Sequence, residues 1–210
     1  MINKLLIVGI GLATSTLAHG ATIMESFTLS PTSIVSGQTT PGTFPYTFFD
    51  EAVDQFDPSL GTLNSITIEV TINFLISGET TTGGSVSTDF SGDYYANGSA
   101  IDAGVVAGAS GNGTGGPPGV FPSVPFTLLT SNTLNPTDHS AYFTRATGTG
   151  TYDLSYEGNV NFNIAGASTG NLDITGGSVS VIYDYTSVPE PSAALFGILA
   201  LSGVALRRRR

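Results

Sequence analysis

Four carboxylates fall within eight positions of this 210-residue chain, at Asp50, Glu51, Asp54 and Asp57. Oxygen donors at this density suit a hard cation such as calcium, so these four are the calcium candidates. Their spacing is not that of an EF-hand loop, and a solvated acidic loop needs no metal. Asp89, Asp93 and Asp102 make a second, looser set. Asp138, His139 and Ser140 set an acid, a base and a nucleophile side by side. Catalytic triads are assembled by the fold from separate segments, so adjacency argues against one, and no catalytic residue is assigned. Glycoside hydrolysis needs only two suitably placed carboxyl groups, and a chain with sixteen acids always offers some pair. There is no tryptophan for a sugar platform, and Tyr94-Tyr95, beside Gly92-Asp93, is the best aromatic candidate. On a strand one of those two rings points inward and the other outward. The absence of cysteine excludes thiol catalysis, iron–sulfur clusters and disulfides.

Charge narrows the partners further. Of the six basic residues, Lys4 and Arg207 to Arg210 lie at the termini, leaving Arg145 against fifteen acids in between, a net charge near −14. Nothing is available to neutralise phosphates, so nucleic acid is excluded as a partner.

The termini read as addresses rather than as fold. Residues 1–20 combine Lys4, an apolar run from Leu5 to Leu17, and small residues Ala18 and Gly20 ahead of Ala21. This is the pattern of a secretory signal peptide cleaved before Ala21. It would take His19 with it, leaving His139 as the remaining histidine. Residues 188–210 begin with Val188, Pro189, Glu190 and Pro191 and continue with the uncharged run Ser192–Leu206. They end in Arg207, Arg208, Arg209 and Arg210. As a helix the apolar run would be about 22 Å long, enough for a short membrane helix with local thinning and snorkelling arginines. The basic cluster stays on the cytoplasmic side and sets the orientation. The two prolines keep Glu190 extended outside the membrane, where a processing enzyme could grip it.

That order resembles the PEP-CTERM sorting signal of Gram-negative-type bacteria, the substrate tail of exosortases. The resemblance implies an inner-membrane-tethered precursor, handled by signal peptidase and exosortase. It then passes to the cell surface or to an extracellular, exopolysaccharide-rich biofilm matrix.

Between the tails, residues 21–187 are rich in Gly, Ser, Thr and Asn turns and in alternating Val, Ile, Phe and Tyr, with no capped helical period. Strands are expected at Glu25–Leu29, Phe44–Phe49, Val86–Tyr95, Val124–Leu129, Ala141–Arg145, Thr151–Tyr156, Val160–Ile164 and Ser178–Tyr185. The clearest is Ser65–Phe74, where Ile66, Ile68, Val70, Ile72 and Phe74 share one face and Thr67, Glu69, Thr71 and Asn73 the other. Asp50–Gly61, Ala103–Gly119 and Ser131–Asp138 read as connections, with Val105-Val106 a short strand candidate. Asn97-Gly98-Ser99 and Asn112-Gly113-Thr114 read as turns. Short strands at this spacing predict an all-β antiparallel sandwich or jelly roll.

Gln55-Phe-Asp-Pro-Ser-Leu-Gly-Thr-Leu63 and the closing Val179–Tyr185 strand are similar to choice-of-anchor E domains, which are exported, β-rich and without known catalytic residues. Locally, Asp57 and Ser59 can bond nearby backbone, Gly61 allows a sharp entry into the next strand, and Phe56, Leu60 and Leu63 can anchor the loop. The expectation is a non-enzymatic exported surface or matrix protein with no cofactor beyond the calcium candidates. The alternative is a carbohydrate-binding module or carbohydrate-active enzyme on the same sandwich.

Overall fold

The computed structural model describes residues 20–80, 84–101, 110–114, 119–166 and 168–188. Alternation along the chain becomes two antiparallel sheets. The first contains β1 (Gly20–Leu29), β2 (Thr32–Gln38), β4 (Gly61–Thr80), β8 (Gly119–Leu134) and β10 (Ser168–Ser187). Its order is β1-β10-β4-β8, with β2 following β1 along the same side of β10. The second contains β3 (Gly42–Asp54), β5 (Ser85–Ala96), β6 (Ser99–Ala100), β7 (Ser110–Thr114) and β9 (Thr151–Ala165), ordered β3-β9-β5 with β6 and β7 along the far side of β5. The chain passes repeatedly from one sheet to the other, so neighbours in the sheets are mostly distant in sequence. That order is the jelly-roll arrangement of a β-sandwich.

The inward faces meet in one apolar core. Ile66, Ile68, Val70, Ile72 and Phe74 are all essentially inaccessible to solvent, as the alternation of β4 requires. Rings bridge the two layers: Phe74 of the first sheet stacks on Phe90 of the second at 4.5 Å, and Phe48 meets both edge-on. Such contacts contribute about 0.5–1.5 kcal/mol per pair beyond the burial itself.

Several local expectations are corrected. Ala141–Arg145 is helical, inside α1 (Ser140–Ala146), which buries Tyr142, Phe143 and Ala146. Their spacing suits one face of a short helix, but seven residues are too few for periodicity to separate helix from strand. Thr151–Tyr156 and Val160–Ile164 are one strand, β9. The intervening Gly158 makes no turn. It lies opposite Gly92, where a Cβ would collide with the Ser91 carbonyl of β5.

Asp50–Asp54 is the end of β3 rather than a loop, and Ser131–Leu134 is the end of β8. A register shift between Thr47 and Phe49 turns both Phe48 and Phe49 inward, which hid the continuation of β3. Asn112–Thr114 belongs to strand β7, whereas Asn97 (φ 48°) and Gly98 (φ 70°) do form the tight β5–β6 turn. Strand β2 was not anticipated, and Val105-Val106 lies outside the described residues.

Candidate functional site

The first and last described residues lie at one end of the sandwich. Gly20 pairs with Thr186 and Ala21 with Tyr185, so the expected cleavage point sits on the first rungs of the β1–β10 ladder. Val188 is exposed, and its N–H donates to the Leu60 carbonyl at 3.0 Å. Ala18, Pro189, Glu190, Pro191 and Arg207, Arg208, Arg209 and Arg210 lie outside the described residues. Among the described residues no helix is long and apolar enough to cross a membrane.

The loop beneath that exit is built from Gln55 to Leu60. The Gln55 and Phe56 N–H groups donate to the carbonyls of Gly150 and Ala146, and Gly148 N–H donates back to the Phe56 carbonyl. The Gln55 side chain donates to the Arg145 carbonyl and accepts from Gly150 N–H. Asp57 caps the turn by accepting the Ser59 N–H at 2.8 Å, and this bond holds its carboxyl below the usual carboxylate range. A Cβ at Gly61 would collide with the Thr186 carbonyl, so strand entry there needs glycine. Phe56 is buried and Leu63 packs on the core, but Leu60 is 42% exposed and does not anchor the loop. The stretch joins helix α1 to the sheets.

The calcium candidates are not gathered. Asp50 and Glu51 stand on consecutive positions of β3, which point to opposite faces of the sheet. Asp54 and Asp57 share a hollow of about 320 Å³ with Glu25, whose carboxylate accepts the Asp54 N–H at 2.8 Å. Among the described residues no three acidic or histidine side chains converge as a metal would require. Asp89 accepts from the Asn161 side chain at 3.0 Å, and Asp102 lies outside the described residues.

Asp138, His139 and Ser140 make no relay. The Asp138 carboxylate takes the Asn135 amide at 2.8 Å, and its N–H donates to the Asn135 side-chain oxygen, closing a turn. His139 precedes α1, and its carbonyl accepts from Tyr142 and Phe143. Its Nδ1 is buried without a hydrogen-bond partner among the described residues. These residues start a helix.

An open groove of about 530 Å³ lies on the outer face of the second sheet. Pro45, Thr47, Ser91, Asp93, Tyr95, Glu157 and Asn159 are among the residues that line it. Asp93 and Glu157 stand directly opposite each other on β5 and β9, a like-charge pairing that a sheet normally avoids. Ser155 donates to Glu157 at 3.0 Å. Tyr94 is buried while Tyr95 faces the groove, as alternation demands. Glu157 and Asn159 were missed as site residues because Gly158 between them read as a turn. Their spacing of two was the available signal.

Inside, three tyrosine hydroxyls form a chain. The Tyr142 and Tyr152 hydroxyls are 2.8 Å apart, and the Tyr183 hydroxyl donates to the Asp54 carbonyl at 2.7 Å and lies 3.2 Å from that of Tyr152. Burial pushes all three phenols up, Tyr183 to about 12. They remain protonated near neutrality and tie α1, β9, β10 and the end of β3 together.

No protein-family model matches the chain, and no curated protein matches it. Among solved structures it is similar to that of the infectious bursal disease virus Gx strain, at 12% identity and TM-score 0.32, covering 82% of this chain and 42% of that one. It is also similar to the infectious bursal disease virus VP2 subviral particle, at 11% identity and TM-score 0.30, covering 90% and 49%. Desmodium yellow mottle tymovirus gives 10% identity and TM-score 0.19, with 91% and 92% covered. The chain thus spans less than half the length of these two bursal virus chains. At these TM-scores the likeness carries no argument about function.

Proposed function

We propose that the chain is an exported, non-catalytic surface or matrix protein whose C-terminal tail is sorted and cut by an exosortase. The observation that supports this reading is the Gly20–Thr186 pairing. Two membrane-directed segments at opposite ends of the sequence leave the sandwich from one end. The precursor can therefore hang from the membrane by that end, with the rest of the body projecting away. Val188 is exposed where the ladder stops, and Pro189-Glu190-Pro191 comes next in the sequence.

In a host with the matching exosortase, the surface form should begin near Ala21 and lack Arg207–Arg210. Glu190→Ala should slow release while leaving the body folded, because Glu190 follows the last strand. Intact-mass measurement of surface and membrane fractions, with and without the exosortase, checks this. A surface form that keeps all four arginines overturns the sorting reading.

The groove favours a second reading, a glycan-binding module. Carboxylates and amides that accept from vicinal hydroxyls, with Tyr95 as a stacking surface, suit a neutral or basic sugar chain and repel an acidic one. Tyr95→Ala and Glu157→Gln should each weaken retardation of the protein in a neutral-polysaccharide gel by several-fold. Unretarded wild-type protein removes this reading.

A further inference from the structure

Among the described strands, β3 forms an open margin of the second sheet, and the first sheet has open margins at β8 and at β1 followed by β2. An open margin presents a row of free N–H and C=O groups and is a template for another strand. Along β3 the margin carries Pro45, the register shift at Thr47–Phe49, and the acids Asp50, Glu51 and Asp54. Each of these blocks pairing.

β8 carries no such guard beyond Pro125. Gly119–Leu134 contains no charged residue, and its prolines, Pro122 and Pro125, fall in the first half. From Phe126 to Leu134 the strand runs in unbroken register with β4, Phe74 opposite Phe126 through Ile66 opposite Leu134. Its composition, Phe-Thr-Leu-Leu-Thr-Ser-Asn-Thr-Leu, is strongly β-forming. On the outer face Leu129 is 76% exposed, between Thr127, which donates to Asn73, and Ser131, which donates to Glu69. No described side chain is more exposed among the large hydrophobics.

We propose that β8 is the contact strand of a two-fold dimer, in which residues 126–132 of two copies pair antiparallel and extend the first sheet across both molecules. Charge selects a second copy as the occupant. Among the described strands, β8 is the only one longer than seven residues that lacks a carboxylate. Any other long strand of this acidic chain would set like charges against its twin, which destabilises cross-strand pairs. An isologous two-fold contact places each residue against a symmetry mate. Centring it on Leu129 buries the exposed side chain against its own copy. The side chains flanking it, Thr127 and Ser131, then face each other across the new ladder.

The absence of cysteine makes the test clean. In an antiparallel pair opposed Cα atoms lie about 4.5–5.5 Å apart, within disulfide reach. Under mild oxidation, full-length Leu129→Cys should form a covalent homodimer at least tenfold faster than full-length Met24→Cys, a 65% exposed position on the opposite margin of the same sheet. Leu129→Lys should lower sedimentation-detected self-association at least tenfold, with an unchanged melting temperature at dilutions where the wild type is monomeric, since the side chain lies outside the core. Raising salt should strengthen wild-type association by screening the acids. Equal crosslinking of the two cysteine variants overturns the proposal, as do undiminished association of Leu129→Lys and a Leu129→Cys adduct with a different protein. This inference does not depend on the sorting reading, because no measurement in it involves exosortase.

Discussion

The margins of β3 and β8 are the same kind of object treated in opposite ways. Both are long outer strands with one side of the backbone free, yet one is proline-broken, bulged and acidic, and the other is neutral and regular from Phe126 onward. The difference gives Asp50, Glu51 and Asp54 a purpose that a metal reading misses. Placed on an outer strand, a carboxylate needs no ligand to be useful, because it prevents a second strand from docking. The acids of this chain are therefore better understood by where the topology puts them than by how closely they follow one another in sequence.

The comparison stands only if the sandwich holds both margins in place, and its core offers the largest perturbation. Ile68→Asp places a carboxylate among Val70, Val181 and their neighbours, where burying an unpaired charge costs several kcal/mol. Loss of the cooperative transition in near-ultraviolet circular dichroism is the expected result. A melting curve like that of the wild type would show that the face is not buried.

An intermediate effect sharpens the contrast from the β3 side, because Tyr183 bonds the Asp54 carbonyl at the end of that strand. Tyr152→Phe removes the central hydroxyl of the tyrosine chain and should cost about 1–3 kcal/mol in urea denaturation. The same chain sets the alkaline limit. Folded phenols are raised above the unfolded value near 10, with Tyr183 at about 12, so the unfolded chain gives up protons first as pH rises. The Tyr183 contribution is complete below pH 10 and falls away between pH 10 and 12. Urea midpoints that stay level across that window would contradict the burial of these hydroxyls.

The smallest effect on stability is also the sharpest test of the two margins. Asp50→Thr with Glu51→Val removes two of the three acids from the end of β3 without touching buried residues, and should change stability by about 0.5 kcal/mol or less. The variant should nonetheless associate through β3, seen as species larger than the dimer in sedimentation. Unaltered sedimentation would mean that Pro45 and the bulge guard β3 without help from charge.

Legibility followed the range of the interactions. Ile66 to Phe74 could be assigned a buried face because alternation is a property of a single strand, and Asn97-Gly98 because a tight turn is set by its own backbone. Gly158 could not be read correctly, since its meaning depends on Gly92, a residue far away in sequence. Tyr142 and Phe143 went to a strand because seven residues cannot display a helical repeat and the contacts that favour the helix come from Gln55 and Phe56.

By itself, the sequence determined an acidic, cysteine-free, β-forming body and which side chains of its clearest strand face inward. These follow from composition and from a two-residue period, which need no partner. Only the tertiary structure decided which strands pair, and with that which margins stay open. It decided likewise that Gly20 meets Thr186, that Asp93 stands opposite Glu157, and that three tyrosine hydroxyls join. Each of these is a contact between segments whose local sequences carry no record of one another. Pairing energy is gained only when the whole sandwich closes.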